Sequence, residues 1–157
     1  MVLAIRHRRD RATEHRHFVI QKFFVEKYFP GFRCTFHRNV LECVGEITPS
    51  ETCATYVIKM TYKNGGIPEV RIRSPLIPQS IWDRVHIYCN GTLCLYDHRE
   101  EPWQWKDNLH EKIIPWTAEW LVFYELFLMC GKWLGPEALH GEAAKVPQES
   151  VNGEKTT

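Results

Sequence analysis

Several features that mark well-known protein classes are absent from this sequence. It has no glycine-rich phosphate-binding loop and no internal repeat. It also lacks an excess of charge of one sign, because 20 Lys and Arg residues oppose 19 Asp and Glu residues, which leaves a formal net charge of +1. A nearly neutral chain has no broad electrostatic attraction toward nucleic acid or an anionic membrane surface. We therefore expect no direct nucleic-acid partner and no membrane partner.

A secretory signal is missing as well. The apolar start, residues 1–5, is too short for the core of a signal peptide, and arginines follow it at once. We therefore expect a cytoplasmic protein, in which six cysteines serve as free thiols, metal ligands or catalysts rather than as disulfides. The long apolar segment at residues 113–135 contains Glu119, Glu125 and Lys132, so it is predicted to be a fully buried helix rather than a membrane span.

The composition indicates one folded domain. Hydrophobic residues make up 44% and aromatic residues 13% of 157 residues, which is enough to build a sizeable core. We predict a single domain over residues 1–140. Residues 141–157 are polar and show no periodicity, so they are predicted to be a disordered tail.

The hydrophobic periodicity predicts an α+β fold. A helix is expected over residues 10–28, capped by Asp10 or Thr13, with one apolar stripe formed by Ile20, Phe23, Phe24 and Tyr28. Alternating strands follow at residues 40–47, 52–63 and 69–73, and Asn64-Gly65-Gly66 predicts a hairpin turn. These strands predict an antiparallel meander with one solvated face. Residues 79–112 are predicted to be irregular, and a second helix is predicted over residues 116–130.

The cysteines allow several roles. Cys89 and Cys94 have four residues between them, but no second ligand pair follows, so their spacing is a poor match to a structural zinc site. Cys34, Cys43 and Cys53 are predicted to be strand residues. These three and Cys130 are expected to pack as small hydrophobic side chains. For Cys94, which follows a turn in the irregular segment, a packing role and a nucleophilic role both remain open.

The segment "NGTLCL", residues 90–95, resembles the active-site segment of ubiquitin-conjugating enzymes. In that family an Asn-Gly turn, a small residue and an aliphatic residue precede the catalytic cysteine and a leucine. The order of elements is also similar: an N-terminal helix, a four-stranded antiparallel meander, a proline-rich turn ("SPLIP" here), a tryptophan after the cysteine (Trp103 and Trp105 here) and closing helices. The resemblance covers roughly residues 10–140 and implies the α+β fold of that family.

One departure from the eukaryotic pattern lies upstream of the cysteine. Eukaryotic members carry a His-Pro-Asn motif, and the matching positions here are Arg84, Val85 and His86. "GTLCLYD" and the C-terminal part of the domain are similar to the bacterial branch of the family. Within that branch they most resemble the small conjugating-enzyme-like proteins of cyclic-oligonucleotide antiphage (CBASS) operons, whose members use a histidine before the cysteine. Bacterial ubiquitin-like conjugation operons are the alternative.

The resemblance implies a cysteine acyltransferase. Cys94 would carry an acyl group as a thioester and pass it to a lysine. His86 would donate a hydrogen bond to the oxyanion, orient the loop or act as a base, and the alternative is a loop histidine that bonds only backbone. Asp97 could help to deprotonate the lysine, but a turn residue is the expectation.

The resemblance also implies the partners. The acyl donor would be a cGAS-like nucleotidyltransferase, or else a ubiquitin-like protein, and a lysine-bearing protein would be the acceptor. No cofactor and no metal are expected. The competing hypotheses are a non-catalytic adaptor on the same fold and a zinc-stabilised binding module.

Overall fold

The computed structural model describes residues 11–136 and has an α+β architecture. Two helices flank a four-stranded sheet along the chain, with a short 3-10 turn after the last strand. The elements are α1 (Arg11–Tyr28), β1 (Arg33–His37), β2 (Val40–Ile47), β3 (Tyr56–Lys63), β4 (Glu69–Ser74), the 3-10 turn (Gln79–Ile81) and α2 (Ile113–Cys130). Asp10, residues 137–140 of the predicted domain and the predicted tail at residues 141–157 lie outside the described residues.

The sheet is antiparallel with the order β1-β2-β3-β4, as the predicted meander requires. Strict alternation in β3 decides which face is buried, and the predicted inward residues are all in the core: Tyr56, Ile58, Met60 and Tyr62. The turn to β4 passes through Gly65, whose φ of 69° favours glycine. The strand β4 ends at Ser74, directly before Pro75, which has no N–H to donate to a ladder.

The helix α1 forms where it was predicted, but the predicted core stripe was wrong. The residues that face the core are Phe18, Gln21 and Val25. The predicted stripe faces outward: Phe23 is 58% exposed, Ile20 and Tyr28 are exposed, and Phe24 is half-buried. Apolar side chains lie on several sides of α1, so their spacing alone does not identify the buried side. Thr13 lies inside the helix and is not its cap.

The expectation that the cysteines are free thiols was wrong for one pair. Cys34 and Cys43 are direct partners in the register of β1 and β2, with Cα atoms 4.0 Å apart, and they form a disulfide. Cys53 lies in the turn before β3 rather than in a strand. Cys130 is exposed at the end of α2, so it is not a packed core residue.

The helix α2 begins three residues earlier than predicted. Pro115 stands in its first turn, where a missing backbone N–H costs nothing, and Gly131 ends the helix with a φ of 71°. Among residues 11–136, α2 is long and apolar enough to cross a membrane by length and composition. One side of α2 lies in the protein core, as predicted: Ile113, Ile114, Thr117, Trp120, Leu121, Tyr124 and Phe127. The other side is not buried, since Leu128 and Met129 are exposed, so the prediction of a fully buried helix was wrong. Within residues 11–136 α2 is the one α-helix that follows the sheet, where the resemblance implied more than one.

The irregular connection before α2 is anchored to α1 by a buried glutamine. The Gln21 side-chain amide donates to the Asp107 carbonyl oxygen (3.2 Å) and to Asn108 Oδ1 (3.0 Å). The Gln21 Oε1 atom accepts from the backbone N–H of Leu109 (2.9 Å). These three bonds satisfy polar groups that regular secondary structure would otherwise pair. The connection that leads into α2 is therefore fixed to the first helix.

Candidate active site

The stretch that contains Cys94 is a tight β-hairpin. Asn90 Oδ1 accepts from the Thr92 backbone N–H (3.1 Å) and the Thr92 hydroxyl (2.7 Å), and the Gly91 N–H donates to the Tyr88 carbonyl oxygen (2.8 Å). Gly91 has a φ of 81°, and a Cβ there would also press on the Trp82 ring. The Asn-Gly-Thr sequence therefore forms this turn through side-chain bonds that mimic a backbone turn.

The hairpin is joined to the sheet at the edge strand. Ile87 and Leu93 pair across the hairpin, and the Tyr88 N–H donates to the Thr92 carbonyl oxygen (2.9 Å). The Leu93 N–H donates to the Val70 carbonyl oxygen of β4 (2.9 Å). Ile87 and Leu93 are both buried, so their side chains anchor the hairpin in the core. A rigid scaffold thus positions the residue that follows, Cys94.

The structure brings the two predicted site residues, Cys94 and His86, together through the backbone. The Cys94 N–H donates to the His86 carbonyl oxygen over 2.9 Å. His86 has a φ of 56°, a left-handed conformation that is uncommon for residues other than glycine. Its ring centroid lies 5.2 Å from that of Trp133, which follows α2. The catalytic role of the His86 ring stays a prediction.

Cys94 is only 6% exposed. Burial raises its pKa above the ordinary value for cysteine, and the negative charge of Asp97 raises the pKa further. Hydrogen bonds from the Tyr88 hydroxyl and with the backbone of Tyr96 act in the opposite direction. The raised pKa means that the resting thiol is protonated at neutral pH.

Cys94 lies on the wall of a cleft of about 200 Å³. One side of the cleft is the segment 94–97 and the other is α2, with residues 133 and 136 at its end. Three indoles and three carboxylates dominate the lining: Trp116, Trp120, Trp133, Asp97, Glu100 and Glu119. No lysine or arginine belongs to the described lining. The cleft is therefore aromatic and acidic.

Two polar groups of the cleft residues have no hydrogen-bond partner in the described protein. They are the Tyr96 hydroxyl and the Trp120 indole Nε1, and both atoms are buried. Burial of an unpaired donor costs free energy, so such groups are rare in native proteins. Sequence reasoning did not single out these two residues, because only the packing of α2 against the segment after Cys94 brings them together.

Two other predicted residues have simple positions. Asp97 Oδ1 accepts from the Arg99 backbone N–H (2.8 Å), so Asp97 is the expected turn residue, and these Arg99 contacts lower the pKa of its carboxyl. Cys89 is exposed in the hairpin turn. Within residues 11–136 no group of three or more His, Cys, Asp and Glu side chains is arranged to hold a metal ion.

Comparison with known families gives a match. A family model for E2-CBASS, described as Type II CBASS E2 protein, matches residues 21–141. The matched range is more than half of the chain, and it includes His86, Cys94 and every residue of the cleft lining. No curated protein matches the chain at a significant level.

Proposed function

The chain belongs to the type II CBASS E2 family, and on this premise we propose that it is a conjugating enzyme that carries an acyl group on Cys94. Membership makes it a CBASS-associated E2-like protein of antiviral defence. The observation that carries the proposal is the position of Cys94, a thiol on the wall of a cleft at the base of a rigid hairpin. A group fixed in this way can be approached by a second protein without reorganisation of the hairpin.

The chemistry has two steps. In the first, the Cys94 sulfur attacks the activated C-terminal carbonyl of a donor, a carbon–sulfur bond forms, and the donor's leaving group departs while the thiol proton is released. In the second, a lysine amine attacks the thioester, a carbon–nitrogen bond forms, and the sulfur leaves and regains a proton. The raised pKa of Cys94 requires that the thiol lose its proton as the donor carbonyl arrives.

In this proposal His86 donates a hydrogen bond from a ring nitrogen to the oxyanion that develops in both steps. Two observations support the assignment. The backbone bond from Cys94 to His86 places the two residues side by side, and the His86 ring packs near Trp133 of the cleft. A fixed donor in a water-poor site needs no reorganisation when the charge forms.

The proposed donor is the C-terminus of a cGAS-like nucleotidyltransferase of the same operon. Its conjugation to a lysine would prime synthesis of the second messenger, inside the cytoplasm. In this proposal the chain acts directly with the nucleotidyltransferase. A ubiquitin-like protein from another type of bacterial operon is the alternative donor.

A non-catalytic adaptor on this fold is the second candidate function. The observation that favours it is the 6% exposure of Cys94, since a buried cysteine packs as a small hydrophobic side chain. Under this alternative the cleft binds a partner and the thiol performs no chemistry. The adaptor hypothesis predicts that the function survives replacement of the Cys94 thiol, and the enzyme hypothesis predicts that it does not.

The test is co-expression of the full chain with the nucleotidyltransferase of its operon. We expect a covalent adduct that reductant releases and that Cys94→Ala abolishes, together with phage protection. The matched control is Cys89→Ala, because Cys89 is an exposed thiol of the same hairpin and has no role in the proposal. If Cys94→Ala retains every adduct and full phage protection, Cys94 is not the acyl carrier and the proposed enzyme is wrong.

A further inference from the structure

We propose that the outward side of the sheet is a docking site for an extended, carboxylate-rich segment of a partner protein. A depression of about 630 Å³ lies over the strands β1 to β4 on this side. The described linings of this depression and of the cleft beside Cys94 share no residue, so the two surfaces are separate. We call the depression the cationic face, because five of its lining side chains are cationic: Arg38, Lys59, Lys63, Arg71 and Arg73.

Positive charge is concentrated on the cationic face. The whole chain has 20 Lys and Arg residues against 19 Asp and Glu residues. The face takes five of the former and only two of the latter, Glu42 and Glu69, which leaves 15 against 17 elsewhere. A chain with a formal net charge of +1 therefore presents a face with a net charge of +3. Clustered charge of one sign attracts partners of the opposite sign and speeds their association.

Ion pairs within the face neutralise only part of this charge. Lys59 Nζ lies 2.7 Å from Glu42 Oε1. Arg71 donates from Nη1 to Glu69 Oε2 over 3.0 Å. The other three cations make no ion pair within residues 11–136: Arg38, Lys63 and Arg73. Three cationic groups are therefore available to a ligand.

The strand register also places two like charges next to each other. Lys59 and Arg71 are direct partners in the register of β3 and β4. Like charges directly opposite each other destabilise a sheet. The core does not require a cation at either position, because both residues alternate with the buried residues of their strands and point outward. A carboxylate bound over this pair would be attracted by both cations.

Two observations favour carboxylates over the phosphates of a nucleic acid. The described lining contains no Phe, Tyr or Trp side chain on which a base could stack. Glu42 and Glu69 lie within the face and would repel a continuous phosphate backbone. A peptide avoids this repulsion, because it can place a neutral or basic side chain opposite the two glutamates. The face therefore fits an acidic protein segment better than a nucleic acid.

The spacing of the cations fits an extended segment. Arg71 and Arg73 are two residues apart on β4, which corresponds to about 7 Å along a strand. Alternate side chains of an extended peptide have the same spacing. Carboxylates at every second position of the partner can therefore meet successive cations, and an arginine can bind a carboxylate through two parallel hydrogen bonds.

Binding of a labelled peptide to the full chain tests the proposal. The probe is a fluorescein-labelled synthetic peptide with glutamate at every second position, and its control has glutamine at those positions. Fluorescence anisotropy measures the affinity. We expect the glutamate peptide to bind about tenfold more tightly than the glutamine peptide at low salt, since several exposed charge pairs each contribute modestly. High salt should remove most of this preference.

Charge reversal at two unpaired cations locates the binding site. Lys63→Glu combined with Arg73→Glu should weaken binding of the glutamate peptide about tenfold. The matched control is Arg16→Glu combined with Lys106→Glu, because it makes the same change in net charge at exposed positions outside the face. The control should change the affinity by less than about twofold. Urea unfolding verifies that both double variants are folded.

Removal of a carboxylate should act in the opposite direction. Glu69→Gln eliminates a repelling charge and releases Arg71 from its ion pair, so the glutamate peptide should bind about threefold more tightly. Weaker binding in Glu69→Gln would mean that the peptide does not contact this face.

Three further results would overturn the proposal. The first is equal affinity of the unmodified chain for the two peptides. The second is equal weakening by the Lys63 and Arg73 double variant and by its control. The third is tighter binding of a labelled DNA duplex than of the glutamate peptide, with loss of that binding in the same double variant, which would make the face a phosphate-binding surface. None of these results affects the proposed function, because Cys94 and His86 are not part of the cationic face.

Discussion

The backbone N–H of Cys94 donates to the carbonyl oxygen of His86 over 2.9 Å, so these two residues are neighbours whatever their side chains do. His86 adopts a left-handed backbone with a φ of 56°. A substitution at this position therefore changes two things at once, the ring and the ease of adopting that backbone. Residues that tolerate the left-handed region separate the two effects.

We predict that His86→Asn and His86→Gly both fold as well as the unmodified chain, because asparagine and glycine accept a positive φ. Asparagine still offers an N–H donor, so His86→Asn should retain most of the rate of acyl transfer. His86→Gly removes the donor and should slow transfer by about 10²- to 10³-fold, as expected for loss of one oxyanion donor. Single-turnover discharge of the thioester to free lysine measures the rate.

His86→Val is the control for the backbone effect. A β-branched residue strains the left-handed conformation, so this variant should lose stability by about 1–3 kcal/mol in urea unfolding. If His86→Gly transfers as fast as the unmodified chain, the ring is not the oxyanion donor and His86 only shapes the hairpin.

The raised pKa of Cys94 gives a second prediction. Its thiolate form gains population as the pH rises, so alkylation by iodoacetamide should continue to accelerate above the pH at which an ordinary cysteine levels off. Tyr88→Phe removes a hydrogen bond that stabilises the thiolate and should shift the profile to higher pH. Asp97→Asn removes a negative charge and should shift it to lower pH. Peptide mass spectrometry in a Cys89→Ala background separates alkylation of Cys94 from alkylation of the other free thiols, Cys53 and Cys130.

The direction in which each substitution shifts the pH profile of alkylation decides this test. A Tyr88→Phe profile displaced to lower pH would mean that the hydroxyl does not stabilise the thiolate. An Asp97→Asn profile that coincides with the unmodified one would mean that the Asp97 charge does not reach the sulfur.

Gln21 gives a prediction about stability. Gln21→Leu keeps the side-chain size but leaves the buried Leu109 N–H and the groups of residues 107–108 without their partner. We expect a loss of about 2–4 kcal/mol in the free energy of unfolding, measured by urea denaturation. Gln21→Glu should also destabilise the chain, because a buried carboxylate would face the Asp107 carbonyl oxygen and Asn108 Oδ1, which both need a donor. The control Gln104→Leu, at an exposed position, should change the stability by less than about 0.5 kcal/mol.

Most of the fold could be predicted from the sequence, because strict alternation in β3 identifies the buried face and the Asn64–Gly66 turn sets the hairpin. The side of α1 that faces the core could not be predicted from the sequence. Its apolar residues surround the helix, and the deciding contact is the buried Gln21, whose partners are more than 80 residues away. The Cys34–Cys43 disulfide depends on the register of β1 and β2, which the sequence pattern leaves open.

The position of Cys94 on a hairpin could also be predicted, since the Asn90–Thr92 turn has a local side-chain signal. The cleft could not, because α2 supplies one of its walls and only tertiary packing places Trp120 beside Tyr96. Neither residue has a local signal of function, as tryptophan in an apolar helix normally indicates only a core position.

The central claim is that Cys94 carries the acyl group, and the mass of the loaded full chain tests it most directly. After incubation with the activated donor, the unmodified chain should gain the donor's mass and lose it on treatment with reductant. Cys94→Ser should gain the same mass as an ester that resists reductant, and Cys94→Ala should gain none. A reductant-sensitive adduct that persists in Cys94→Ala and disappears in Cys89→Ala would contradict the account.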